Sequence, residues 1–344
     1  RRTQIAAASL VAWLALGACD RASEAGSAAA QDVRRSPSWS PEICEAMPAP
    51  VRRPGRARIA TWNVRWFPDG HPGALDPART TDVEWLACVI TQLGVDAIAL
   101  QEILLHERGR AALDQLRASL DRRTGGRWEA HDDGCPPDAQ HLVLLIDRAR
   151  ISAVRVETVA ALNPTDRGAC GRRLRPGLLA RLSFRGGLDL ALIDLHLDSG
   201  TTARDHGRRH LSLAQLPAIV GRLSAEDRDV VVLGDLNTMG CRDCAPRVDV
   251  PAELAALETE LAAAGLRLLA PTERCTEYSG SHRALVDHVA VARSMEELPA
   301  SARAEVHGIC AALACRSAPP ATAALQRLSD HCPLVIELED VDRD

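Results

Sequence analysis

Between Arg58 and Leu338, short apolar runs alternate with amphipathic ones, and six of the apolar runs carry a residue that an apolar interior rejects. "IATWNV" carries Asn63, "IALQEI" Glu102 and "LIDLHLDSG" His196. "VVVLGDLNT" carries Asp235 and Asn237, "LVDHVAV" Asp287, and "LSDHCPL" Asp330 and His331. Apolar runs of this length, bounded by turn residues, read as buried strands. A carboxylate, amide or imidazole there is costly unless it is paired, hydrogen-bonded or metal-bound. One such residue is a satisfied core group. Six strand ends of the same kind predict one shared pocket at the rim of a sheet.

The segments between the strands read as helices. "DVEWLACVITQL" places Val83, Leu86, Val89, Ile90 and Leu93 at helical spacing, and residues 108–120 and 208–223 follow suit. "AELAALETELAAAG" is an amphipathic helix closed by Gly265, a glycine suited to the left-handed residue after a helix end. Neither an internal repeat nor a linker interrupts 57–340, which reads as one domain. With 46% hydrophobic and 25% charged residues, the composition is that of a soluble globular protein. The net charge of −5 exerts no general pull toward nucleic acid. All 41 Lys-or-Arg positions are Arg, so a phosphate contact from a permanently charged side chain has to come from a guanidinium fork.

Residues 1–19, "RRTQIAAASLVAWLALGAC", join a basic start to an apolar run from Ile5 to Leu16 and small residues before a cysteine. This is the anatomy of a secretory signal, and the ending resembles a bacterial lipobox with Cys19 as the lipidated residue. An ordinary cleaved signal or a membrane anchor is the alternative, although the apolar run is short for a spanning helix. Residues 20–56, rich in Ala, Ser, Pro and Arg, read as a flexible tether. The expected location is the bacterial cell envelope on the periplasmic side, lipid-anchored or secreted, with the membrane contacted through the lipid alone. Beyond Cys19 ten cysteines remain, an even number that suits disulfides in an exported chain. "CRDC" at 241–244 has zinc-ligand spacing, but no second CxxC or His pair accompanies it along the chain. Cys88, inside a helical pattern, reads as a buried thiol.

Carboxylates with an amide oxygen make a hard oxygen site suited to Mg²⁺, Mn²⁺ or Ca²⁺. Two histidines add neutral donors or proton carriers near neutral pH, and Asp287 can orient one of them through its ring N–H. Together these are equipment for attacking a phosphoester with water. In this order, "TWN", "QE", "HLDSG", "GDLN", "VDH" and "SDH" resemble the endonuclease/exonuclease/phosphatase superfamily, whose members include pancreatic-type deoxyribonucleases, apurinic-site endonucleases, sphingomyelinases and inositol-polyphosphate phosphatases. The resemblance spans residues 57–339. It implies an α+β fold, a four-layer α/β/β/α sandwich of two mainly antiparallel sheets flanked by helices, with the site at one rim.

The resemblance also implies roles. Asn63, Glu102 and Asp330 fall at metal-site positions, with Glu102 the main ligand, for Mg²⁺ or Mn²⁺ and with Ca²⁺ as a structural ion. His331 matches the residue that contacts the scissile phosphate as base or transition-state stabiliser, and Asp287 the acid paired to it. Asp235 matches the residue handling the nucleophilic water, Asn237 one that holds a phosphate oxygen, and His196 a general acid near the leaving group. The implied activity is that of a monomeric metal-dependent phosphoesterase. An exported nuclease is the first reading; a phosphatase, a lipid phosphodiesterase or a non-catalytic binding protein of the same fold is the alternative. A bridge from Cys275 to Cys241 or Cys244 would resemble the secreted deoxyribonucleases. Asp194 and Asp198 share the strand face of His196, whereas His288 points away from Asp287. Asp205, His206 and His210 read as solvated or capping residues, and Trp62 and Trp66 as packing. Arg172, Arg173 and Arg175 form either a solvated loop or a phosphate contact.

Overall fold

The apolar runs pair into two six-stranded sheets in the computed structural model, which describes residues 40–343 except 49, 72–76, 138, 166–169, 171–174, 280–281 and 317–321. Cys19 and the signal reading, with Arg172 and Arg173, lie outside the described residues. In chain order, α1 (Pro41–Ala46) leads to β1 (Arg56–Phe67), α2 (Val83–Leu93), β2 (Ala97–Leu104), α3 (Glu107–Thr124), β3 (Trp128–Asp132) and β4 (Gln140–Asp147). Next come β5 (Ile151–Val159), β6 (Gly177–Phe184), β7 (Asp189–His196), α4 (Ala203–Leu213), α5 (Leu216–Leu223), β8 (Val230–Asp235), α6 (Val250–Ala263) and β9 (Leu266–Leu268). The chain closes with β10 (Glu277–Ser279), β11 (His282–Ala284), β12 (Asp287–Ala292), β13 (Glu305–Val306), α7 (Ile309–Leu313), α8 (Ala323–Arg327) and β14 (Leu334–Glu339).

One sheet runs β13-β14-β1-β2-β4-β3 and the other β5-β6-β7-β8-β12-β9. Each contains one parallel pair, β1 with β2 and β7 with β8, and is otherwise antiparallel. A parallel pair needs a crossover: α2 supplies it in the first sheet, α4 and α5 in the second. The expected sandwich of two mainly antiparallel sheets flanked by helices is the fold observed.

Because both faces of the first sheet are covered at its centre, β2 and β4 are buried along nearly their whole length rather than alternating. Ile59, Ala99 and Leu144 pack into the cluster shared with the second sheet, while Trp62, Leu100 and Val143 pack with α2 and α3. Asp82 caps α2 through the Trp85 N–H (3.1 Å), and Gly94, at φ 64°, ends it. The single helix expected over 208–223 is two. α4 opens earlier, on a Thr202–Asp205 capping box, and stops at Leu213; Pro217 then sits in the first turn of α5. A proline there lacks the N–H that would continue the preceding turn.

The ten described cysteines form five disulfides: Cys44–Cys88, Cys135–Cys170, Cys241–Cys244, Cys275–Cys315 and Cys310–Cys332. The expected bridge from Cys275 to the CRDC segment is therefore wrong. Cys275 faces the turn after α7, and the two cysteines of CRDC close on one another. Cys88 is likewise bonded rather than a lone thiol, and its partner Cys44 lies on α1, whose first turn is capped by Ser40. The flexible reading of 20–56 thus does not extend to α1, which a covalent bond holds against α2. Closing sequence separations of 22 to 44 residues, four of the bridges each remove roughly 3–4 kcal/mol of unfolded-chain entropy in the loop-closure picture. Among the described residues no helix is long and apolar enough to cross a membrane.

Between the sheets, Gln101 Nε2 donates to Thr61 Oγ1 (3.0 Å) and Asp194 Oδ1 (2.7 Å). Burial raises the Asp194 carboxyl well above its usual 3.8. The folded protein then keeps a proton that the unfolded chain releases, so stability is lost as pH rises from 3.8 through the folded value. Asp194→Asn has no such proton to keep. Its stability relative to the parent should improve as pH rises above about 4 in urea unfolding; an equal pH dependence of the two proteins would refute a buried neutral carboxyl.

Candidate active site

Three site residues stand in register on the second sheet. His196, the last residue of β7, pairs with Asp235, the last of β8, and Asp235 pairs with Asp287, the first of β12. A pattern of period two therefore points all three side chains out of one face at one end. The close approach of β7 and β8 depends on Gly234 at φ 131°, where an added Cβ would lie 2.0 Å from the Leu195 carbonyl oxygen. Asn237, at φ 51°, follows in a turn that Asp235 organises: Asp235 Oδ1 accepts from the Asn237 N–H (3.0 Å). One Asn237 side-chain N–H donates to the Leu197 carbonyl (3.1 Å).

The first sheet reaches the same rim through two irregularities. Register shifts between Asn63 and Phe67 and between Leu100 and Ile103 mark bulges in neighbouring strands, and bulges re-aim side chains. Simple alternation would send Glu102 toward the helices, away from its neighbour Gln101. With φ 64° it turns instead to the rim, where Oε1 accepts from Asn63 Nδ2 (3.2 Å) and Oε2 from the Trp66 N–H (2.9 Å). Non-glycine residues at positive φ are strained and collect at functional sites. Arg65, Trp66, Glu102 and Asn237 are four of them here. Asn63 also donates to Asp235 Oδ2 (2.9 Å), tying the sheets together, while its oxygen accepts from the Arg65 N–H (2.9 Å). Asn63 thus turns its amide nitrogen, not its oxygen, toward the two carboxylates.

The turn before β14 delivers His331. Ser329 Oγ donates to the Asn63 carbonyl (2.7 Å) and accepts from the His331 N–H (3.0 Å), and the Trp62 indole donates to the His331 carbonyl (2.9 Å). His331 Nδ1 meets Asp287 Oδ2 at 2.9 Å, leaving Nε2 at 3.9 Å from Asp235 Oδ2. Thr276 Oγ1 accepts from the Val286 and Asp287 N–H groups and so holds the acid in place. On the other side of Asp235, His196 Nε2 lies 3.5 Å from its Oδ2 and 3.8 Å from Glu102 Oε1.

The electrostatics follow from crowding. Burial raises Glu102, with Asp330 adding to the rise. Asp235 is pushed up to about 8 by burial, against the pull of His331 and with Asp287 adding. Burial alone would lower His331, but Asp287, then Asp235 and Glu277, outweigh it and leave its pKa well above the usual imidazole range. His196 goes the other way, held neutral by burial and by the fields of Arg175 and His331. A neutral imidazole donates a hydrogen bond more readily than a proton, which does not suit the general acid expected there. Carboxylates crowded in this way are what a cation would relieve. Donor atoms of Asp235, Asp287 and His331 lie within 4.8 Å of one another, and Asp287 Oδ1 is buried without a hydrogen-bond partner. The His331 ring is committed to Asp287, so the carboxylate oxygens of Glu102, with Asp330 beside it, are the donors that fit a hard divalent ion.

Two further residues border the site, and of these Glu277 carried no motif. Glu277 is opposite His331 in a β-bridge, and burial raises its pKa as well. Arg175, at the end of the basic run, is buried and donates to the His196 carbonyl (3.3 Å) and to Gln140 Oε1. A Glu between a Thr and a Tyr gives no pattern from which to infer a site; for Arg175, burial rules out the solvated-loop reading of its basic run. Asp198 and His288 have partners of their own. Asp198 accepts from Arg208 (3.1 Å), and His288 is buried against Thr238 Oγ1 (2.9 Å), its pKa lowered to about 4 chiefly by burial.

The Endonuclease/Exonuclease/phosphatase family profile matches residues 60–331, most of the chain, and the protein belongs to that family. Its reaction class is therefore phosphoester hydrolysis, in a family of generally divalent-metal-dependent enzymes. Among solved structures, a humanized D. rerio TDP2 superposes with a TM-score of 0.52 at 18% identity, covering 83% of this chain and 99% of its own. An endonuclease/exonuclease/phosphatase from Bacteroides vulgatus gives 0.52 at 17%, with 83% and 98% covered. One from Beutenbergia cavernae gives 0.52 at 17%, with 83% and 71% covered. At such identities the likeness is one of fold. No protein of curated function matches the sequence. Gly234→Ala, which would force a Cβ into the Leu195 carbonyl, should cost about 2–3 kcal/mol; an unchanged thermal melt would show that β7 and β8 can separate without loss.

Proposed function

We propose that this chain is an exported nuclease that hydrolyses phosphodiester bonds by water attack with the aid of Mg²⁺ or Mn²⁺. The observation that carries this reading is the Asp287–His331 dyad, with Nε2 turned toward Asp235 and the Glu102 cluster beside it on the same rim. Asp235, ionised, accepts a proton from the attacking water as the water oxygen bonds to phosphorus, and the bond to the leaving oxygen breaks, that oxygen taking its proton from solvent. His331, held protonated, donates through Nε2 to a phosphate oxygen, and Asp287 fixes its tautomer and charge. Asn237 offers its second amide N–H, and neutral His196 a hydrogen bond through Nε2. Glu102 and Asp330 would hold the cation, with Asn63 keeping Glu102 and Asp235 in place. A cation held there would neutralise charge on the phosphate and leaving oxygen and would keep Glu102 and Asp235 ionised. Five disulfides fit an oxidising compartment and so support export, with Cys19 as the lipid anchor.

The purified protein should turn over DNA or RNA with Mg²⁺ or Mn²⁺, lose that turnover in EDTA, and lose roughly 100-fold or more in kcat on His331→Ala. Sphingomyelin and phosphate monoesters belong in the same panel. Turnover indifferent to both EDTA and the substitution would overturn the mechanism. Turnover of monoesters or lipid alone would replace the nuclease reading with its alternatives, and none on any substrate would leave a binding protein. Asp287→Asn should lower kcat with little change in KM; a matching rise in KM would mean that Asp287 serves binding instead.

A further inference from the structure

The Cys241–Cys244 disulfide plays no part in the site above, nor do His206 and His210, yet the fold brings them together. The two histidines stand on one face of α4, a turn apart, with Nε2 atoms 3.0 Å from each other. His210 Nδ1 meets Glu260 of α6. At the far end of this file, His206 Nδ1 lies 4.0 Å from Cys244 Sγ. A nitrogen of His206 and the sulfurs of Cys241 and Cys244 all fall within 4.8 Å of one another. Glu253 is also close, but its carboxylate is committed to Arg209 and to the Gly240 N–H. Two sulfurs and one imidazole therefore remain as donors.

Thiolate and imidazole are the ligands that zinc prefers, at about 2.3 and 2.0 Å, which sets tetrahedral corners roughly 3.3–3.8 Å apart. A disulfide withholds both sulfurs because they are bonded to each other. This one spans a sequence separation of 3, against 22 to 44 for the others, so loop closure gains least from it. Cys244 and His206 are half-buried and open to a reductant, whereas Cys241 is buried. Opening the bond would not release the segment. Cys241 and Val248 exchange backbone hydrogen bonds (2.8 and 3.0 Å), and the Arg242 N–H donates to the Thr201 carbonyl (2.8 Å).

We propose that reduction of Cys241–Cys244 opens a site for a zinc-class cation, bound by both sulfurs and His206 Nδ1 with a fourth position facing solvent. A dithiol supplies two electrons and two protons: the S–S bond breaks, two thiols form, and the reductant becomes a disulfide. Binding then sends both thiol protons to solvent as two sulfur–metal bonds and one nitrogen–metal bond form. In the metal-bound form His206 carries its proton on Nε2 and donates to a neutral His210 at Nε2, and His210 Nδ1–H donates to Glu260. His210 and Glu260 are thus positioning residues, fixing the tautomer whose Nδ1 lone pair faces the sulfurs.

Cobalt(II), a spectroscopic stand-in for zinc, tests this on the full chain. After mild dithiol treatment, one equivalent of Co²⁺ should give sulfur-to-metal charge-transfer absorption that the untreated protein lacks. A joint Cys241→Ser, Cys244→Ser variant and His206→Ala should lose it, and His210→Ala should weaken binding roughly 10- to 100-fold while keeping the band. A band that survives in the double-serine variant would assign it to other cysteines and overturn the proposal. So would a reduced parent that binds no more Co²⁺ than the oxidised one, a comparison that needs no variant. If His206→Ala loses its native melt, His206→Gln is read in its place, and undiminished binding there would also refute the site.

Discussion

Two sheets packed face to face on apolar side chains leave polar groups a place only where the sandwich ends, and one hydrogen bond holds that end together. Asn63 of the first sheet donates to Asp235 of the second at 2.9 Å, and the rest of the rim is arranged around this contact. Asp235 stands in register with His196 on one side and Asp287 on the other. Asn63 lends its second N–H to Glu102 and its carbonyl to Ser329, which in turn positions His331. Separate the sheets here and every distance in the site changes at once.

The same arrangement is a local liability. Glu102, Asp235, Asp287, Glu277 and Asp330 crowd one rim, and burial raises the pKa of three of them, Glu102, Asp235 and Glu277. Backbone strain adds to this at Glu102 and Asn237. The apolar layers on both faces of the first sheet, and covalent bonds such as Cys310–Cys332 just behind His331, oppose that cost.

Much of this was legible along the chain, though unevenly. Strands were legible because apolar runs bounded by turn residues have few other homes, and the polar interruptions at Asn63, His196, Asp235, Asp287 and His331 marked their ends. Glu102 was legible as a residue but not as a direction, since a bulge and a positive φ reverse the face that alternation would assign. Glu277 was invisible, because a Glu in a short hairpin is ordinary until the sheets bring it close to His331, whereas Arg175 was legible only as one of two readings of a basic run, between which its burial beside the His196 carbonyl chooses. The division of 203–223 into two helices rested on Pro217, a local signal that the apolar spacing masked.

Cysteine pairing shows where the boundary lies. The even number of cysteines carried the expectation of disulfides, but not that Cys275 would meet Cys315 or Cys332 would meet Cys310, which depends on which turns the strands carry to one place. In the same way the lone CxxC gains a histidine neighbour only through the packing of α4 against the segment after β8. The sequence by itself determined the layers, the order of the strands' polar ends and the chemical types at the rim, because burial acts on each run locally. The tertiary structure decided which side chains face one another and in which protonation state, because contact and charge coupling depend on distances between residues far apart in the chain.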